Sequence, residues 1–173
     1  MPTFTQIGSA VTVGSGGAAD ITFSAIPSTY TDLVVKFSGR NTGTESSGYT
    51  DGIIRFNGST TSYTERMIVG LGSAVYSLNQ ASTGIKWFFA NSSITTASTF
   101  GNSEMYVPNY AGSTNKSVSI DTVVENNSAT VNVLALTAGL WSNTSAITSI
   151  SITPGSGNWA QYSTAYLYGV SNA

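Results

Sequence analysis

Tyr30-Thr31-Asp32-Leu33-Val34-Val35-Lys36-Phe37-Ser38-Gly39-Arg40 is the stretch that decides the fold. Leu33, Val35 and Phe37 fall on one side of an extended chain, and Asp32, Lys36, Ser38 and Arg40 fall mostly on the other. A period of two, carried by β-branched and aromatic residues, is the sequence form of a half-buried strand. Ile26-Pro27-Ser28-Thr29 precedes it as a turn, because proline presets φ and has no N–H for a ladder. The spacing predicts a central strand that fixes the register of its neighbours, and nothing in it has a catalytic pattern.

Alternation recurs outward from this stretch in both directions. Phe4 to Ile7 and Val11 to Val13 read as a short N-terminal ribbon or arm within residues 1–17. Ile21 and Phe23 point one way in the segment that follows. Asn41 to Thr50 is a Gly/Ser/Thr-rich surface loop. Ile53 to Phe56 is closed by Asn57-Gly58, a strong tight-turn pair. Tyr63 to Val69 and Ala74 to Leu78 are weaker strands around Gly70-Leu71-Gly72. Gly84 to Ala90 is apolar on both faces and is expected to be covered on both. Met105 to Val107, Val118 to Val124, Thr130 to Leu136, Ile147 to Thr153 and Thr164 to Val170 complete the series, with a bend expected at Ala138-Gly139-Leu140-Trp141. Nine or ten short strands at intervals of roughly 10–15 residues predict an all-β, antiparallel two-sheet β-sandwich, jelly-roll-like, in one domain spanning 1–173.

Charged residues make up only 8% of the 173-residue chain, against about 25% in an ordinary soluble domain. Ser, Thr, Asn and Gly take their place, while the apolar fraction of 40% still supports a core. A surface of hydroxyls and amides can pack against neighbours with little ionic desolvation. The net charge is −2 and the six basic residues are scattered, which disfavours a nucleic-acid partner. Apolar runs are too short to span a bilayer as helices, so no membrane partner is expected. The opening Met1 to Gly8 has neither a basic region nor an apolar run, so synthesis in the cytoplasm without a secretory signal is expected.

Few chemistries remain open. Cysteine and histidine are both absent, which removes thiolate and imidazole metal sites, cysteine nucleophiles and histidine-based triads. Gly14-Ser15-Gly16-Gly17 lacks the lysine of a phosphate loop and precedes a strand. Paired carboxylates could hydrolyse glycosides, with Asp20, Asp32, Glu45, Asp51, Glu65, Glu104, Asp121 and Glu125 as the acids. Strand-start bonding accounts better for Asp32 and Asp51, and plain solvation on a polar strand face for Asp121 and Glu125. A calcium ion on Glu45, Asp51 and loop carbonyls has no supporting spacing. No enzyme activity, metal or cofactor is therefore expected. Among the aromatic residues, Trp141, Trp159, Tyr162 and Tyr110 are the candidates for an interface or a glycan contact, with Trp159 and Tyr162 expected to be the most exposed. Tyr106, Tyr166 and Tyr168 extend the same list.

Ile26-Pro-Ser-Thr-Tyr-Thr-Asp-Leu-Val-Val, Ile54-Arg-Phe-Asn-Gly and Val107-Pro-Asn-Tyr-Ala-Gly-Ser-Thr-Asn-Lys-Ser-Val resemble a group of tailed-bacteriophage virion structural proteins. So do Ala138-Gly-Leu-Trp, Ala146-Ile-Thr-Ser-Ile-Ser-Ile and Ala165-Tyr-Leu-Tyr-Gly-Val. The resemblance runs from about Ile21 to the C-terminus. It implies an all-β virion module with no catalytic residues to carry over, free-standing or attached to fibre-like proteins. The corresponding expectation is a capsid decoration (cement) protein on the outer head surface, with the major capsid protein lattice as partner, the virion as location and a homo-oligomer, a trimer or a dimer, with the trimer preferred by the usual symmetry of such parts. The alternative is a tail-fibre or host-recognition module that binds surface glycan.

Overall fold

A computed structural model describes residues 1–127 and 132–171, with the backbone alone for Gln80, Ala81 and Trp87. Every regular element among them is a strand: β1 (Thr3–Gln6), β2 (Val11–Thr12), β3 (Ile21–Phe23), β4 (Asp32–Gly39), β5 (Tyr49–Phe56), β6 (Tyr63–Leu71), β7 (Ala74–Ser82), β8 (Ile85–Asn91), β9 (Gly101–Val107), β10 (Lys116–Val124), β11 (Val133–Trp141), β12 (Ile150–Pro154) and β13 (Thr164–Ser171). They form a nine-stranded sheet in the order β1-β13-β4-β9-β10-β11-β6-β7, with β2 also on β13, and a four-stranded sheet in the order β3-β12-β5-β8. Every named pairing is antiparallel. The two-sheet antiparallel sandwich is therefore as the alternation predicts. The sheets are unequal, whereas a jelly roll is built from eight strands in two Greek keys. The finer jelly-roll expectation does not follow from these pairings.

The quoted stretch becomes β4, flanked by β13 and β9. Leu33, Val35 and Phe37 enter the core between the sheets, facing Ile54, Phe56, Phe88 and Ile152. Burying each large apolar side chain contributes about 1.5–3 kcal/mol, so this face supplies much of the driving force for the sandwich. The residues expected to form a ribbon or an arm pair with their own sheet, Thr3 to Gln6 with Ser171 to Tyr168 and Val11-Thr12 with Ala165-Thr164.

β8 is buried on both faces, as its sequence demands. Ile85 and Phe88 face the main core, and Phe89 joins a second cluster with Met67, Val69, Val124, Val133 and Ala135. The register between β5 and β8 shifts between Gly52 and Ile54, and such an irregularity lets side chains switch faces. All of that cover comes from the chain itself. The Trp87 side chain and the expected strand start at Thr130 lie outside the described residues.

Two glycine readings change. Asn57 and Gly58 both take positive φ, 52° and 67°, as a tight turn requires. Gly139 makes no bend, because β11 keeps unbroken register with β10 and β6 through Trp141. A Cβ there would lie 2.7 Å from Val118 Cγ2 and 2.8 Å from Ile85 Cδ1, so the missing side chain is what lets the sheets approach. Gly139→Ala should destabilise the fold by about 1–3 kcal/mol through overpacking, read as a lower midpoint in urea unfolding at unchanged slope.

Candidate functional site

Three of the four aromatic residues picked from the sequence are interior. Trp159 is 0% exposed. Its backbone exchanges hydrogen bonds with Ala18 at 2.7 and 3.0 Å, and its indole Nε1 donates to the Ile152 carbonyl at 2.8 Å. Its ring meets Phe37 edge-on with centroids 4.8 Å apart. Trp141 is 1% exposed, stacked on Tyr63 at 6.1 Å and tilted on Phe56 at 5.7 Å. Tyr110 is buried too, its hydroxyl donating to the Pro27 carbonyl. The expectation that these three meet a partner or a sugar is corrected on this point: inter-sheet and end-capping positions take them out of reach. Tyr162 alone is open, 67% exposed, in a left-handed turn at φ 72°.

Loops beside these residues are tied down by cations that have no carboxylate partner among the described residues. Arg40 donates through Nη1 and Nη2 to the carbonyls of Ser93, Thr95, Thr96 and Thr99 at 2.9–3.1 Å. Lys116 is fully buried and donates to the carbonyls of Gly112, at 2.7 Å, and Thr114. Burial lowers the pKa of both groups. Spending cations on loop carbonyls removes charge from an already sparse surface.

Most of the acids are committed as well. Asp32 accepts from the Tyr106 hydroxyl at 2.7 Å and the Asn109 N–H at 2.8 Å. Glu65 accepts from the Lys86 N–H at 2.6 Å, Glu125 from the N–H groups of Asn126 and Asn127, and Glu104 pairs with Lys36 at 2.7 Å. Glu45 and Asp51 share a cleft of about 280 Å³ with Tyr49, Thr50, Gly155 and Ser156. The Asn41 Nδ2 donates to Glu45 at 3.2 Å. Burial pushes the Asp51 carboxyl up, Lys86 opposes the rise, and the nearby Glu45 adds to it. Among the described residues no three metal-ligating His, Cys, Asp or Glu side chains gather.

The open surface of the large sheet is the feature that sequence reasoning missed. Across β13, β4 and β9, Tyr168, Val34 and Tyr106 are register neighbours, as are Tyr166, Lys36 and Glu104. Tyr166 and Tyr168 stack with centroids 6.5 Å apart. Across β10, β11 and β6 the same surface turns apolar. Leu134 and Leu136 are each 62% exposed and Ile68 is 58% exposed, with Leu136 directly opposite Ile68 and Leu134 opposite Val123. The run Val133-Leu134-Ala135-Leu136 carried the signal, since it is apolar on both faces like Ile85 to Phe89. Beyond β6, the edge strand β7 exposes Val75, Tyr76 and Leu78.

No family model matches the chain, and neither does any curated protein. The functional reading therefore rests on these surfaces.

Asp51→Asn should raise stability at neutral pH. A carboxyl whose folded-state pKa is raised lowers stability once the pH exceeds its ordinary value of roughly 4, and that cost vanishes when both states are protonated. Thermal melts of the two proteins should thus differ at pH 7 and converge as the pH falls below roughly 4.

Proposed function

We propose that the chain is a virion structural protein of a tailed phage, a decoration protein that binds the outside of the head and stabilises the capsid lattice. The observation that carries this reading is the free edge of the large sheet. β7 runs nine residues in unbroken register with β6 and forms the outermost strand. Its sequence, Ala-Val-Tyr-Ser-Leu-Asn-Gln-Ala-Ser, has no charge and no proline. Protein surfaces ordinarily blunt such an edge with lysine, proline or a bulge, because its unpaired N–H and C=O groups invite another strand. Here it suits strand addition by a neighbouring protein, with Val75, Tyr76 and Leu78 adding apolar contact.

The mechanism is non-covalent. Each copy makes a modest contact, and the symmetry of the shell multiplies it, holding neighbouring capsomers together. The sparsely charged exterior keeps the desolvation cost of each contact low. A homo-oligomer bound to the major capsid protein lattice fits the same reading.

A second reading, a tail-fibre or host-recognition module that binds surface glycan, is favoured by the Tyr106, Tyr166 and Tyr168 platform beside Lys36 and Glu104. Stacked tyrosines with charged neighbours can lie against a sugar ring.

Copy number per purified particle separates the two, measured by quantitative mass spectrometry against the major capsid protein. Decoration predicts hundreds of copies, and heads lacking the chain should take up added protein but reject the Leu78→Lys variant. A few copies per particle, with glycan binding lost in Tyr166→Ala, would transfer the function to the second reading.

A further inference from the structure

We propose that two copies of this chain pair face to face across the open side of the nine-stranded sheet, about a two-fold axis running along β11. This pairing does not depend on the decoration reading, and it uses the open face of the sheet, Val75 and Ser77 of β7 included, and not the backbone edge of that strand.

The apolar part of the surface is large for something left in water. Ile68, Leu134, Leu136, Val123 and Val75 are all exposed: Leu136 stands opposite Ile68, Leu134 opposite Val123, and Val75 opposite Gly70, whose other neighbour is Leu134. Together they offer on the order of 500 Å² of apolar surface, at the top of what a monomer leaves in one patch. With their polar rim they approach the roughly 800 Å² per partner of a standard interface. Such sheets stack about 10 Å apart through interdigitated side chains.

The distribution of charge makes the surface complementary to itself. Ala138, Ser119 and Ser77 are small, and they leave a hollow of about 560 Å³ beside the ridge of Leu136 and Ile68. A two-fold axis along β11 sets Leu134 and Leu136 of one copy against the same two residues of the other. The same hollow is lined by Arg66 on one flank and Asp121 on the other. Within the chain they stand on β6 and β10 with β11 between them and two residues out of register, roughly 12 Å apart by strand spacing and rise, and no ion pair joins them among the described residues. Asp121 is directly opposite Glu104 in the ladder, and Glu104 is already neutralised by Lys36. One negative charge is therefore left over on one flank and one positive charge on the other.

An axis along β11 places β10 of one copy over β6 of the other. Asp121 then lies above Ile68 of the second copy, two residues from Arg66, a span that an arginine side chain covers. The pair forms twice, once on each side of the axis, as an isologous interface requires. An unrelated partner would need to present an apolar face and this charge pattern together, and a second copy presents both. The two-fold arrangement also takes the place of the trimer expected from the usual symmetry of virion parts.

Sedimentation equilibrium of the purified chain tests this, with circular dichroism to confirm that each variant is folded. The wild type should be a reversible dimer, and Leu136→Lys should be a monomer. Arg66→Asp should weaken the dimer by about tenfold or more, because it brings like charges together at both ends of the interface. Adding Asp121→Arg to that variant should recover most of the loss, which a purely apolar contact would not do. A monomeric wild type, a trimer, a dimer that survives Leu136→Lys, or a charge exchange that recovers nothing would each overturn the proposal.

Discussion

Trp159 is the constraint on which the rest of the molecule depends. It belongs to the segment between β12 and β13, yet its backbone bridges both Ala18 and Asn41. Its indole bonds to Ile152 in the small sheet, and its ring lies against Phe37 of the large one. Phe37 in turn tilts on Phe88 with centroids 4.9 Å apart. One side chain thus fixes the spacing of the two sheets at one end, and Trp141 with Tyr63 and Phe56 does the same elsewhere in the core. A buried indole that found no acceptor would cost roughly what a lost hydrogen bond costs, so Ile152 specifies its orientation as well as its stability.

With the large aromatics committed to the interior, the exterior is defined by what the strands leave outside. The nine-stranded sheet is wider than the four-stranded sheet that covers it. At the β6–β7 hairpin, Tyr76 and Leu78 consequently remain exposed. The far side of the same sheet carries tyrosines at one half and leucine and isoleucine at the other. These surfaces, open and regular in register, suit association with other proteins, and the decoration reading rests on that property.

The fold was legible because strand alternation is local. Leu33, Val35 and Phe37 announce their face within five residues, and Asn57-Gly58 announces its turn within two. Trp159 was not legible, because its burial depends on bridges to Ala18 and Asn41, which are remote in sequence. An aromatic residue in a glycine-rich loop looks exposed until those bridges are known. Gly139 misled for a related reason, since the atoms that exclude a Cβ belong to Val118 and Ile85. The Leu134-Leu136 surface was legible in principle from Val133 to Leu136, and it takes the ladder to Ile68 and Val123 to show that the second apolar face lies open.

The central claim is that the molecule works through the exposed faces and edge of its large sheet, with its loop aromatics serving the core. Hydrogen–deuterium exchange of the chain, free and bound to particles, tests it most directly. The account predicts that binding slows exchange along Ala74–Ser82. Protection confined to the 155–163 loop around Tyr162, with β7 unchanged, would contradict it.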